Sequence, residues 1–194
     1  MKKVVFLFVL ALSQVALFGQ VKWNIDNAHS SVRFTVEHLV ISEVDGTFKT
    51  FSGDITSSKP DFTDANINFT IDVNSINTDN ERRDGHLKGP DFFDAAKYPN
   101  MTFKSTSFKK VSEKKYELKG NLTIRDVTKP VTFDVVYGGT VKDPYGNNKA
   151  GFKATSVISR SAFGLKWNNM TEAGGAVVGD DVTITIKLEV SQAK

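Results

Sequence analysis

The sequence predicts an all-β protein, a sandwich or a barrel, crossed by one short helical segment. Three observations carry that reading. Apolar and polar residues alternate in many short runs, Gly, Pro, Asn and Asp punctuate the gaps, and only Asn74 to Pro99 breaks the alternation with helical features. In an all-β chain, a long crossing of that kind covers one mouth of the sandwich or barrel.

The clearest strand runs from Ser31 to Leu39, where Val32, Phe34, Val36 and His38 face one way and Ser31, Arg33, Thr35 and Glu37 the other. The pattern returns at Ile67-Phe69-Ile71-Val73, at Tyr116-Leu118 into Leu122-Ile124, at Val131-Phe133-Val135-Tyr137, and at Val182 through Val190. Weaker strands are expected at Gly46 to Ile55, Met101 to Phe108 and Gly151 to Ser159, giving roughly eight in all. Turns are expected at Val44-Asp45-Gly46, Ser112-Glu113, Gly138-Gly139 and Asp143 to Asn148. No linker or repeat divides the chain, so one domain is expected.

Within the crossing segment, Thr78-Asp79-Asn80-Glu81 has the form of a capping box, which predicts a helix from Asp79 to Leu87. Gly89-Pro90 ends it, and a second short turn follows through Asp91-Phe92-Phe93-Asp94. Adjacent phenylalanines cannot share one helix face, so at least one ring is expected to point into the mouth. Arg82, Arg83, Asp84 and Lys88 either clamp a polar head group at that mouth or pin the helix to strand ends.

The first residues read differently. Met1-Lys2-Lys3, the apolar run Val4 to Leu12, and a smaller, more polar stretch to Gln20 have the layout of a secretory signal peptide. Its apolar core is too short to cross a bilayer as an ordinary helix. We assign residues 1–19 to it and residues 20–194 to the folded domain, which predicts a periplasmic or secreted protein. Setting Lys2 and Lys3 aside lowers the net charge from +3 to +1, and the remaining charges are interspersed. That excludes the concentrated basic face of a nucleic-acid binder. With no cysteine, an exported chain has no disulfides and stands on its core, for which twelve of the fifteen phenylalanines remain.

Catalytic signatures are missing. His29, His38 and His86 lack the close pairing that most zinc sites use, so no metal is expected. His38 shares the inward parity of Phe34 and Val36. The chain has no Gly-x-Ser-x-Gly elbow, no cysteine nucleophile and no phosphate-cradling glycine loop. It reads as a non-enzyme without a cofactor. Phe163-Gly164-Leu165-Lys166-Trp167-Asn168-Asn169-Met170 is an apolar stretch without alternation. With Leu87, Phe92 and Phe93 it would form one greasy mouth, of the kind that takes a lipid.

A set of short motifs then falls in register. His29-Ser30, Val44 to Phe48 with Phe51-Ser52-Gly53, Ser75 to Thr78, Arg83 to Lys88, Asp91 to Asp94 and Tyr98-Pro99 come first. Gly120 to Ile124, Val127 to Val131 and Ser159 to Gly164 follow. Together, from about Trp23 to Val190, they resemble the YceI family of bacterial periplasmic proteins. Asp126 departs from the pattern, standing where the family often has Gly.

The resemblance implies an extended eight-stranded antiparallel barrel, similar to lipocalins, whose tunnel binds a polyisoprenoid or isoprenoid quinone. Carried onto this chain, it implies a lining from Phe34, Val36, His38, Phe92, Phe93, Phe103, Phe163 and Trp167. Leu87 and Leu165 join the mouth on the reading above. Arg160 or His38 would supply a polar contact inside, and Arg82 or Lys88 one at the rim. Expected partners are the long-chain lipid, a membrane in transient contact, and a second copy through an exposed edge strand; no nucleic acid is expected.

Overall fold

The computed structural model describes residues 19–170 and 174–193; the expected signal peptide falls almost wholly outside the described residues. Eleven strands, β1 (Val21–Ile25), β2 (Ser31–His38), β3 (Ser42–Phe48), β4 (Phe51–Ser57), β5 (Asn66–Asp72), β6 (Ile76–Asn77), β7 (Asn100–Lys110), β8 (Lys115–Ile124), β9 (Val127–Lys142), β10 (Asn148–Ser159) and β11 (Val178–Gln192), form one sheet. One helix, α1 (Glu81–Lys88), lies between β6 and β7. Every pairing is antiparallel, and β1 pairs with β11, so the sheet closes on itself.

Eleven strands make an eight-stranded barrel because three of its staves are bent. β1 and β2 lie end to end along β11, at Val190–Gln192 and at Val178–Lys187 respectively. β4 pairs with β1 and β3 with β2, so β3 and β4 are likewise one stave. β5 and β6 are the third, broken by a 3-10 turn at Val73–Ser75. The second and third bends are matched. The Lys49 N–H donates to the Ser75 carbonyl (3.1 Å), the Thr50 N–H to Ser75 Oγ (3.0 Å), and the Asp72 N–H to the Thr50 carbonyl (3.0 Å). Those bonds satisfy the backbone groups that the bends release from the ladder. Neighbouring staves follow chain order throughout, the topology of an up-and-down barrel.

Register sets which side chains face inward. Val32, Phe34 and Val36 of β2 lie opposite Ile186, Ile184 and Val182 of β11, one apolar row against another. Two glycines let large rings lie flat over the wall. A Cβ on Gly46 would meet the Phe34 ring at 2.1 Å, and one on Gly120 would meet Phe103 at 2.3 Å. Gly46 therefore sits mid-strand, opposite Phe34, rather than in the turn expected at Val44 to Gly46. Gly138-Gly139 is also no turn. The pair lies within β9, where the register with β10 shifts and Gly139 adopts φ 116°.

α1 begins two residues later than the capping box implied. Asn80 is the cap, its Oδ1 accepting from the Arg83 N–H at 3.0 Å. Thr78 is spent elsewhere. Its N–H and Oγ1 both donate to Oδ1 of buried Asp84, at 2.9 and 2.5 Å. Among the described residues the ladder closes through β1 and β11, while β6 pairs with β3 at Thr47 and Phe48 only.

Candidate functional site

The barrel interior contains a chain of three cavities. The lower one, about 100 Å³, is lined by apolar side chains of seven staves, Phe69, Met101, Phe103, Phe133 and Ile184 among them, with Thr102 its one polar lining residue. Met101 and Ile184 also border a middle chamber of about 100 Å³, walled by Phe34, Phe48, Phe93, Ile158, Arg160 and Leu165. Phe34, Val36, Leu87, Phe92 and Val178 then separate this chamber from an upper one of about 180 Å³. The upper chamber gathers several polar side chains, Glu37, His38, Arg83 and His86, beside Trp167. The path therefore runs from a nearly apolar base to a mixed, polar mouth.

The lower end is sealed. Buried Phe62 packs against Trp23 (ring centroids 5.0 Å), Phe152 (5.1 Å) and Tyr137 (5.9 Å). Its loop is pinned by Asp64, which accepts from Ser57 Oγ (2.6 Å) and from the Ser58 and Lys59 N–H groups (2.9 and 3.1 Å). Burial alone would push the Asp64 carboxyl up. The bonds from Ser57, Ser58 and Lys59 outweigh it and pull the group down to about 2.

The upper end is covered by α1 and the two loops beside it. His86 meets Phe92 and Trp167 edge-on, both at 5.0 Å between centroids, and Phe92 lies 5.3 Å from Trp167. Behind α1, Arg83 Nε donates to Thr78 Oγ1 (2.8 Å) and Nη2 to the Thr78 carbonyl (2.7 Å). Arg125 ties the covering loops together, its Nη1 donating to the Phe92 and Gly164 carbonyls at 3.2 and 3.3 Å. It sits in a tight turn with φ 56° beside Asp126, which accepts from Tyr98 Oη at 3.2 Å.

Arg160 is buried beside the middle chamber. Its Nε donates to the Gly179 carbonyl (2.7 Å), Nη1 to the Leu165 and Trp167 carbonyls (2.6 and 2.8 Å), and Nη2 to the Val178 carbonyl (3.1 Å). Burial lowers its pKa, with the Asp180 charge opposing. The guanidinium thus fixes the loop that carries Leu165 and Trp167 against the start of β11.

The structure brings together ten of the twelve residues named from the sequence. Phe103 borders the lower chamber, Phe34, Val36, Leu87, Phe92, Phe93, Arg160 and Leu165 the middle one, and His38 and Trp167 the upper one. Phe163 is fully buried but lines none of the three. Arg82 is exposed on the outer side of α1, and its neighbour Arg83 faces the chamber instead. The lower chamber was largely missed, although the inward parity of Ile184, Ile186 and Leu188 already pointed to it. Phe62, in a loop after Pro60, gave no periodic signal.

Asp26, His29 and Glu189 meet at the bend of the first stave, their ligand atoms all within 4.8 Å of one another. Lys149 Nζ stands 2.8 Å from Asp26 Oδ2 and 2.6 Å from Glu189 Oε1, supplying the positive charge there. Hydrogen bonds from Lys149 and then His29 hold the Asp26 carboxyl well below the usual carboxylate range. The cluster fastens β1 to β11.

A UPF0312 protein of Staphylococcus aureus strain USA300 is 38% identical over 170 residues, covering 87% of this chain and 96% of its own. Among solved structures, Burkholderia cenocepacia BcnA superposes with a TM-score of 0.74 at 27% identity, over 85% of this chain and 98% of that one. A polyisoprenoid binding domain from Saccharophagus degradans shares the fold at 16% identity, with a TM-score of 0.68 over 88% of this chain and 98% of that one. The family model of the YceI-like domain matches residues 23–190, all eight staves, and the chain belongs to that family.

Proposed function

We propose that this protein holds a polyisoprenoid or isoprenoid-quinone-type lipid in the barrel and sequesters or carries it in the periplasmic or secreted space. The observation that carries the reading is the run of three adjoining cavities, apolar at the base but for Thr102, with Arg160 in the wall of the middle chamber and most of the polar side chains at the mouth. A thin aliphatic chain fits that gradient, with its polar end at Arg83, His38 and His86. The Saccharophagus degradans domain of the same fold is a polyisoprenoid binder by name, which supports the ligand class.

The energetics favour a carrier over a catalyst. Each buried methylene contributes about 0.8 kcal/mol, so even a partly enclosed tail binds tightly. Ordering the tail and taking it out of a membrane offset part of that gain. Release then needs an acceptor, and a membrane in transient contact is the simplest one. No step of this reading uses a cofactor or a metal. Phe92, Leu165 and Trp167 act as the gate, with Phe93 and Leu87 behind them.

Native mass spectrometry of protein purified from its own source, followed by organic extraction, tests the proposal. The expected result is a stoichiometric adduct of isoprenoid mass, retained for less time in Phe92→Ala and Trp167→Ala. A clean protein mass that also fails to take up added polyprenol or quinone would leave a barrel filled by its own side chains.

A further inference from the structure

Between β2 and β3 the chain reverses through Leu39, Val40 and Ile41, closed by the Ile41 N–H donating to the His38 carbonyl at 3.3 Å. Leu39 and Val40 take φ of 56° and 65°. A turn with both central residues at positive φ favours Asn-Gly, and a β-branched residue there is a steric outlier. Core burial does not explain the choice, because Leu39, Val40 and Ile41 are 37%, 57% and 84% exposed. Neither turn chemistry nor packing accounts for three apolar residues at this tip.

Its position does. The Leu39 N–H donates to the Val177 carbonyl at 2.9 Å, and Val177 adjoins Ala176, the bridge partner of exposed Met170. His38 and Val177 line the upper chamber. The apolar tip and Met170 therefore stand on the lip of the mouth. We propose that this tip is a membrane-docking element, which inserts into the surface of a zwitterionic bilayer and sets the upper chamber against it.

Area and charge select that occupant. Three aliphatic side chains and one methionine fall short of the roughly 800 Å² per partner that a stable protein interface needs. Insertion into lipid has no such threshold and gains with each side chain buried. Below the tip, Glu37 and Glu43 lie directly opposite each other, and with Asp181 and Ile41 they line one groove. Like charges so placed repel an anionic surface. The helix side of the same mouth presents Arg83, which lines the upper chamber. A rim acidic on one side and basic on the other matches head groups that bear both signs.

The purpose of docking rests on the lipid-carrier reading, but vesicle binding is measured without cargo, so the two fail separately. The test is sedimentation with phosphatidylcholine vesicles, comparing the unaltered protein, Ile41→Asp, and the double variant Leu39→Asn/Val40→Gly. The double variant installs the preferred turn residues, so it should melt no lower than the parent. It and Ile41→Asp should each lose binding by about tenfold or more, the factor that one buried aliphatic side chain commands. Retention of preloaded polyprenol in vesicle-free buffer should be unchanged in both. Binding equal to the parent's in both variants would overturn the proposal. So would a parent protein that sediments only when phosphatidylglycerol is added.

Discussion

The two ends of the barrel are closed by different physics. At the lower end, Phe62 is buried among Trp23, Tyr137 and Phe152, a plug packed ring against ring. At the upper end, α1 is an eight-residue helix whose one buried side chain is the polar Asp84, held through Thr78, with Arg83 beside it. A packed plug resists opening because every partial displacement exposes apolar surface. The cover combines apolar contacts, Leu87, Phe92 and Trp167 among them, with hydrogen bonds through Asp84 and Arg83. The polar part gives up less on moving, because its groups find water instead. The plugged end is therefore the harder to open, and on the proposed function the covered end is where a lipid would enter and leave.

The sharpest way to break that contrast is to remove the plug. Phe62→Ala should cost about 3–5 kcal/mol, the range for a large buried ring. At about 2–4 °C per kcal/mol for a domain of this size, the Tm falls by on the order of 10 °C, measured by calorimetry. A smaller shift would mean that the lower end is held by its loop rather than its ring. Asp84→Ala acts on the other end. It strands the Thr78 N–H and hydroxyl and should cost about 1–3 kcal/mol. Its larger effect is on kinetics: release of a loaded polyprenol should quicken, measured by transfer to acceptor vesicles. Equal release rates in Asp84→Ala and Phe62→Ala would erase the distinction between the ends.

The smallest effect is one of pH. The Asp64 carboxyl is held at about 2 in the folded state, below its ordinary value of 3.8. A depressed pKa contributes stability that is complete above the unfolded value and is lost as pH falls through the folded one. Asp64→Asn should therefore lower Tm at neutral pH. The gap should close as the pH drops from about 4 to about 2. A gap independent of pH would show that the loop is pinned without the charge.

Much of the fold was legible because period-two alternation survives wherever one face of a strand is buried. β2, β8, β9 and β11 announced themselves that way. The bends were not, because Lys49-Thr50 and Asp26 to Ser30 break a stave without breaking the sheet, a tertiary effect with no local signature. Glycine misled in both directions. Gly46 and Gly138-Gly139 looked like turns but serve a ring overhead and a bulge, while the true reversal at Leu39-Val40 carries no turn residue at all. At the mouth, Phe92, Phe93, Leu165 and Trp167 stood out as apolar residues in irregular chain. Arg83 did not stand out from Arg82, since helix phase depends on the start, and Asn80 rather than Thr78 sets it.

The chain has two tryptophans, and one lies at each end. Trp23 packs on the plug and Trp167 borders the upper chamber. Fluorescence titration with an isoprenoid quinone, whose head group quenches indole, tests the direction of binding in Trp23→Phe and Trp167→Phe. The expected result is saturable, strong quenching in Trp23→Phe, where only Trp167 remains, and weak quenching in Trp167→Phe. Strong quenching of Trp23 with Trp167 unaffected would place the polar end at the plug and contradict the account.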